Sequence, residues 1–279
     1  MNRKQKAAWL AMIFPSAAGF LCFSLLPTVY SLILSFFEGG RLEKFAGISN
    51  YLVLFQSESF QLAVWNTLRF ILVAVPVSMT LALVFALWLE RSPVLSQLFQ
   101  SVLFFPFVIP SICIAVVFGE IFALDGWLNR LFRQSVDYLG SGWAFVIAII
   151  VFLWKNTGIL LLLLLQGLHT IPPERYDAFR LDSDSAIDRF RMITFPGLRP
   201  SLGFALFFAI LQVLRLFRDI YLIFGKYPPQ EIYMLQHFLN NAFFNLEYGK
   251  LTSCAFIVLA LAALLAAGLH FCVKRRGEG

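Results

Sequence analysis

The stretch "IPPERYDAFRLDSDSAIDRFRMITFPGLRP", from Ile171 to Pro200, carries five acidic residues and five arginines. The sequences on either side, "FVIAIIVFLWKNTGILLLLLLQGL" and "SLGFALFFAILQVL", are almost wholly apolar. A dense, charge-balanced segment between two such runs indicates a loop that joins two membrane-spanning helices.

The composition is that of an integral membrane protein. The chain has 279 residues, of which 59% are hydrophobic and 14% charged, whereas soluble domains carry about 25% charged residues. The net charge of +6 comes from lysines and arginines scattered over the loops, which argues against a nucleic-acid-binding patch. The four cysteines lie in apolar runs without metal-ligand spacing, so we expect no metal site.

Six segments are apolar enough to cross a bilayer, which requires about 20 residues each. They are residues 9–37, 64–89, 98–123, 143–168, 201–224 and 251–273. The first run is far longer than the core of a secretory signal peptide, so we expect it to remain in the mature chain. The prediction is an all-α, polytopic membrane protein with six transmembrane helices.

The distribution of positive charge predicts the orientation. With both termini inside, the cytoplasmic pieces hold twelve lysines and arginines and the external pieces hold seven. Because cytoplasmic loops are enriched in these residues, both termini and the 171–200 loop are predicted to be cytoplasmic.

The chain lacks a P-loop, an H-E-x-x-H motif and a G-x-S-x-G motif, so we expect no enzymatic activity and no cofactor on this chain.

The 171–200 loop itself is predicted to form two short helices. Pro172 and Pro173 start the first, and Ser185 followed by Asp188 resembles a capping box for the second. Pro196 and Pro200 are expected to end the second helix. One interpretation is an amphipathic helix on lipid headgroups. The balanced charge and narrow apolar stripe favour a protruding element that docks into a partner protein.

These residues also resemble the EAA loop of ABC importer permeases, in the sugar-type form E-A-A-x-x-D-G-A. Asp177 stands at the Glu of this motif, Ala178 and Phe179 at the two alanines, Asp182 at the Asp and Ser183 at the Gly. The downstream residues that match the family pattern directly are Phe190, Ile193, Thr194, Pro196 and Pro200. Three departures bear on the turn geometry: Asp177 is shorter than Glu, Phe179 is bulkier than Ala, and Ser183 adopts positive φ less readily than Gly.

The resemblance extends over nearly the whole chain, through "NTLRFILVAVPVSMTLALVFAL", "FFPFVIPSICIAVVFGEIFALDGWLN" and "NAFFNLEYGKLTSCAF". It implies a type I importer permease in the cytoplasmic membrane of a bacterium or archaeon. Residues 1–63 would hold the tail, first helix and an external loop, and residues 64–279 the permease core. The implied partners are a second homologous permease, ATPase subunits that bind ATP and Mg, an external solute-binding protein, and membrane lipid.

The implied substrate is a sugar or oligosaccharide of the maltose type. An importer of the same family for another solute, such as a glycerol phosphate or an amino acid, remains an alternative. A stand-alone secondary transporter would require inverted repeats, which the sequence lacks. The implied ATPase-coupling residues lie in the loop and are Tyr176, Asp177, Ala178, Phe179, Asp182, Ser183, Phe190 and Pro196.

Two clusters of polar residues fall inside predicted spans, where ionisable groups usually face a cavity. They are Lys155, Asn156 and Thr157 in the fourth span, and Gln212, Arg215 and Asp219 in the fifth. In the family that the chain resembles, the matching segments line the sugar pocket, so these six are candidate substrate residues. Two structural alternatives stay open: Arg215 and Asp219 neutralise each other, or Lys155 pairs with a carboxylate of another subunit.

Overall fold

A computed structural model of the protein describes residues 3–40, 42–90, 93–183 and 185–274. Within these ranges the regular structure is helical, apart from an isolated bridge between Phe37 and Phe45. The α-helices are α1 (Arg3–Phe20), α2 (Leu26–Leu34), α3 (Ser49–Gln56), α4 (Glu58–Glu90), α5 (Pro93–Val108), α6 (Ser111–Phe122), α7 (Trp127–Phe132), α8 (Trp143–His169), α9 (Pro173–Asp182), α10 (Ala186–Arg189), α11 (Phe195–Arg215), α12 (Phe217–Phe224), α13 (Leu235–Phe244) and α14 (Tyr248–Lys274). Wide π-turns join α1 to α2 and α10 to α11, and 3-10 turns lie at Glu38–Gly40 and Gln230–Ile232.

The prediction of an all-α protein with six spans is confirmed. Six helical stretches within the described ranges are long and apolar enough to cross a membrane. They are Met12–Leu34, Glu58–Glu90, Ser111–Phe132, Trp143–His169, Ala186–Phe224 and Tyr248–Gly268.

The third span differs from its prediction as one helix over residues 98–123. The chain leaves the helical conformation after Val108, and Pro110 has an extended backbone with ψ of 140° before α6 begins. A proline disfavours helical geometry in the residue that precedes it and lacks an N–H for the helix. The apolar run is therefore divided between α5 and the spanning stretch of α6 and α7.

The fifth span also differs, because Pro196 and Pro200 do not end the second helix of the loop. The chain continues from α10 through the π-turn Phe190–Thr194 into α11, where Pro196 occupies the opening turn and Pro200 the interior. Proline is tolerated in the first turn, where the missing N–H has no helical partner. The continuous helical stretch begins at Ala186 rather than at residue 201.

The described residues form two compact units, of which the first comprises residues up to 61 and residues 239–261. Within this unit the Asn50 Nδ2 donates to the carbonyls of Ser35 at 2.8 Å and Phe37 at 2.6 Å, which ties α3 to the end of α2 and the turn after it. Gly40 has φ of +72°, and a Cβ there would lie 2.6 Å from the Cβ of Tyr248, so glycine is required.

The second unit comprises residues 62–238 and the end of α14. Helix α8 lies at its core and packs against α5 and α11. Gly158 meets the backbone of α5 at Leu103, and Gly167 meets Ser201 of α11. A side chain at either glycine would collide with the neighbouring helix, so these two positions set how closely the helices approach.

The segment between α12 and α13 is fixed to α4 within the same unit. The Asn66 Nδ2 donates to the carbonyls of Gln230 at 2.5 Å and Tyr233 at 3.0 Å. The backbone N–H of Leu235 donates to Thr67 Oγ1 at 3.0 Å. These bonds satisfy backbone groups in a stretch with little regular structure.

Candidate functional site

The charged loop folds as the sequence predicts at the start of both helices. Pro172 and Pro173 lie at the beginning of α9. Ser185 caps α10, since its Oγ accepts a hydrogen bond from the N–H of Asp188 at 3.3 Å. Between the two helices Ser183 adopts an extended backbone with φ of −161°. The serine that replaces the family's glycine therefore introduces no backbone strain here.

The loop borders an open groove of about 560 Å³, which we call the loop groove. Its wall includes Leu87 and Glu90 from the end of α4, and the hydroxyl of Tyr176 lies 3.3 Å from that of Thr194. The other lining residues come from the loop and are Pro173, Asp177, Arg180, Ala186, Ile187, Arg189 and Phe190.

The eight predicted coupling residues fall into two groups. Tyr176, Asp177 and Phe190 line the loop groove. The other five do not line it. Ala178 on α9 is exposed and Phe179 on the same helix is half-buried. Asp182 is the last residue of α9, Ser183 follows that helix, and Pro196 lies in the opening turn of α11. The side chain of Asp182 lies outside the described residues.

The predicted set of coupling residues left out the exposed apolar side chains of this loop. The Leu181 side chain is 89% exposed, and Ile187 and Met192 are also largely exposed. Apolar residues within a charge-rich stretch were a visible signal for them. No local signal pointed to Leu87 and Glu90, which reach the groove from a helix about 90 residues earlier in the chain.

Two of the intramembrane charges, Lys155 and Asp219, form a buried ion pair. The ammonium of Lys155 on α8 donates to both carboxylate oxygens of Asp219 on α12, each at 2.8 Å. The side chains are 17% and 3% exposed. Asp219 is thus held by Lys155 rather than by Arg215, and Lys155 has its carboxylate within its own chain.

The remaining candidate substrate residues differ in exposure. Asn156 and Thr157 are buried, and each donates a side-chain hydrogen bond to the carbonyl four residues earlier in α8. Gln212 is also buried, whereas Arg215 is exposed. Such back-bonding satisfies polar groups inside a helix without any ligand.

Trp154 is a neighbour of this cluster that the candidate set left out. Its ring is 40% exposed and lies 5.5 Å from the ring of Phe118. An exposed aromatic ring next to Lys155 provides a flat apolar surface of the type on which sugar rings stack.

No group of residues within the described ranges has the composition of a metal site.

Comparison with known proteins identifies the family. The family described as "Binding-protein-dependent transport system inner membrane component" matches residues 74–276. The chain belongs to this family. The resemblance to ABC importer permeases is therefore confirmed, and the chain is a multi-pass permease subunit of the cytoplasmic membrane.

Individual relatives extend the match to most of the chain. The lactose transport system permease protein LacF of Rhizobium radiobacter is 31% identical over 222 residues, which cover 76% of this chain and 74% of the relative. The trehalose/maltose transport system permease protein MalF of Thermococcus litoralis is 31% identical over 235 residues, covering 81% and 79%.

A solved structure supports the fold. A bacterial ABC transporter involved in the import of the acidic polysaccharide alginate matches with a TM-score of 0.84 at 19% identity. The match covers 98% of this chain and 96% of the other. At this identity the likeness concerns the fold alone.

Proposed function

We propose that this permease carries a saccharide across the cytoplasmic membrane, driven by ATP that separate ATPase subunits hydrolyse with Mg. The relatives named for lactose, trehalose/maltose and arabinooligosaccharides support a carbohydrate substrate. The absence of a P-loop from the sequence supports a division of labour in which this chain forms the path and binds no nucleotide.

The loop groove is the proposed docking site of an ATPase subunit, with the loop and both termini in the cytoplasm. The observation that carries this assignment is an open groove in a loop that also exposes apolar side chains. Ile187 lines the groove, and Leu181 follows the groove residue Arg180 in the same loop. A charge-balanced rim around apolar anchors is the usual composition of a protein interface. The exposed pair of Arg180 and Asp177, 3.3 Å apart, contributes to that rim.

A second homologous permease and a solute-binding protein complete the proposed assembly. The first span, Met12–Leu34, has no buried residue in its most apolar window. It therefore presents an apolar surface to lipid or to another membrane subunit. An external solute-binding protein would deliver the saccharide to the side opposite the loop groove.

The proposed substrate path runs past the polar residues of α8, α11 and α12. Arg215, the partly exposed Lys155 and the ring of Trp154 would face the saccharide. Asn156, Thr157, Gln212 and Asp219 are buried and would support this surface from behind.

Substitution of Leu181 tests the docking assignment. Burying a leucine contributes about 1.5–3 kcal/mol, so Leu181→Asp should reduce retention of the ATPase subunit on the purified permease by about tenfold or more. The matched control is Leu246→Asp, because Leu246 is also exposed but lies between α13 and α14.

The readout is the amount of ATPase that co-purifies with equal amounts of permease in detergent. Loss of ATPase from Leu181→Asp but not from Leu246→Asp supports docking at the loop. Equal retention by both variants would show that the ATPase binds elsewhere.

A further inference from the structure

Two arginines lie on an exposed face of the fifth span that is otherwise apolar. Arg215 ends α11, and Arg218 follows three residues later in α12, so both project to one side of the chain. Phe204 and Leu222 are exposed on the same face. The buried residues Ala209 and Val213 of α11 lie on the opposite side.

Neither arginine is neutralised within the described part of the chain. Asp219 lies four residues after Arg215, a spacing that allows an ion pair along a helix. Both of its oxygens, however, accept hydrogen bonds from Lys155. No other carboxylate among the described residues forms an ion pair with Arg215 or Arg218. The face therefore carries two uncompensated positive charges.

The depth of Arg215 makes contact with lipid alone costly. It lies nine residues before Phe224, where the spanning stretch ends, which is about 14 Å along a helix. A guanidinium inside the hydrocarbon region is disfavoured, most strongly at the helix centre. Residues of this kind face a water-filled path or an anionic partner.

We propose that Arg215 and Arg218 form an anion subsite for an acidic saccharide, such as one built from uronic acids. This inference rests on the proposed saccharide import and specifies its substrate class. The planar guanidinium binds a carboxylate through two parallel N–H···O bonds. Two like charges on one face also raise the local concentration of an anionic solute, whereas a neutral sugar gains only hydrogen bonds to its hydroxyls.

Uptake into liposomes that contain the complete importer tests the subsite. The probes are trigalacturonate and trimannuronate, each compared with its carboxyl-reduced, neutral counterpart. Arg215→Gln should raise the half-saturating concentration of the acidic trisaccharide about tenfold more than that of its neutral counterpart. Arg218→Gln should act in the same direction, and Arg215→Lys should fall between Arg215→Gln and the parent.

The matched control is Arg130→Gln, which removes the same charge from an exposed arginine of α7 that already lies beside Asp125. It should change neither acidic nor neutral uptake. If the parent imports only neutral trisaccharides and Arg215→Gln has no effect, the anion subsite is wrong while saccharide import stands. If no saccharide enters but a glycerol phosphate or an amino acid does, the proposed function itself fails.

A third outcome concerns the other subunits. If Arg215→Gln lowers the yield of assembled complex, and Arg215→Lys restores it without changing uptake of either sugar, the partner of Arg215 is a carboxylate of another subunit. That result would contradict the proposal that Arg215 and Arg218 bind an acidic saccharide.

Discussion

Two ion pairs of the same chemical type lie in contrasting surroundings. Lys155 and Asp219 are 2.8 Å apart and nearly enclosed between α8 and α12. Arg180 and Asp177 are 3.3 Å apart on α9, with 63% and 70% of their side chains exposed. Coulomb interactions strengthen as the surroundings become less polar, but removing charges from water is itself costly.

The contrast indicates that the two pairs serve different purposes. The buried pair is bidentate and joins two helices, so each charge depends on the other. The exposed pair exchanges readily with water and leaves both groups available to a partner protein. Substitutions that remove one charge from each pair should therefore differ strongly in their effect on stability.

The largest effect is expected for Lys155→Ala. It leaves the Asp219 carboxylate buried without its cation, and removal of one partner from a buried pair costs about 3–5 kcal/mol. The thermal inactivation midpoint of the purified permease should fall sharply, and the yield of folded protein with it. Lys155→Met combined with Asp219→Leu should recover most of this stability, because an apolar pair of similar size replaces the charges.

If the single variant keeps the parent's midpoint while transport is lost, Lys155 serves the substrate more than the fold. The double variant then gives a second check, because it should also lack transport. Recovery of stability without transport would assign both a structural and a functional role to the pair.

An intermediate effect is expected from His237, a buried ionisable group outside the spans that has no charged partner among the described residues. Burial lowers the pKa of His237 from 6.5 to about 4. Its Nδ1 accepts a hydrogen bond from the N–H of Met234 at 3.3 Å. The small cavity beside it is lined by Thr67, Val213, Leu214, Phe217, Leu235 and Gln236, none of which titrates, and Tyr233 is the nearby phenol.

The sign of the pH dependence follows from this lowered pKa. Between pH 6.5 and 4 the unfolded chain takes up a proton on His237 that the folded chain does not, so stability falls as the pH falls. The loss is at most about 1.4 kcal/mol per pH unit in that window and levels off below pH 4. Thermal midpoints at pH 7.5 and 5.0 should differ less for His237→Gln than for the parent.

The exposed His169 at the end of α8 offers a matched control. His169→Gln should keep the parent's pH dependence. An unchanged pH dependence in His237→Gln would show that another group is responsible for any acid sensitivity.

The sequence predicts local features of this molecule well and long-range pairings poorly. The cap of α10 by Ser185 is predicted by the spacing of three residues between Ser185 and Asp188, and the six spans are predicted by hydropathy. The break at Pro110 was visible in the sequence, but hydropathy alone does not register it. Each of these features depends on neighbours within a few turns of helix.

The pairing of Asp219 shows where local reasoning ends. Spacing along the helix points to Arg215, while the structure pairs Asp219 with Lys155, 64 residues away. That contact depends on the antiparallel register of α8 and α11, which the contact of Gly167 with Ser201 helps to set. The Leu87 and Glu90 wall of the loop groove likewise depends on packing between distant segments.

The smallest effect is expected for Arg180→Ala in the exposed pair. Surface ion pairs contribute about 0.2–1 kcal/mol to stability and are screened by salt. The thermal midpoint of Arg180→Ala should therefore stay close to that of the parent, and at high salt the two midpoints should be equal. Because Arg180 lines the loop groove, ATPase retention should fall a few-fold at low salt, less than for Leu181→Asp. A drop in stability as large as that of Lys155→Ala would mean that the loop is part of the folded core rather than a surface kept for a partner.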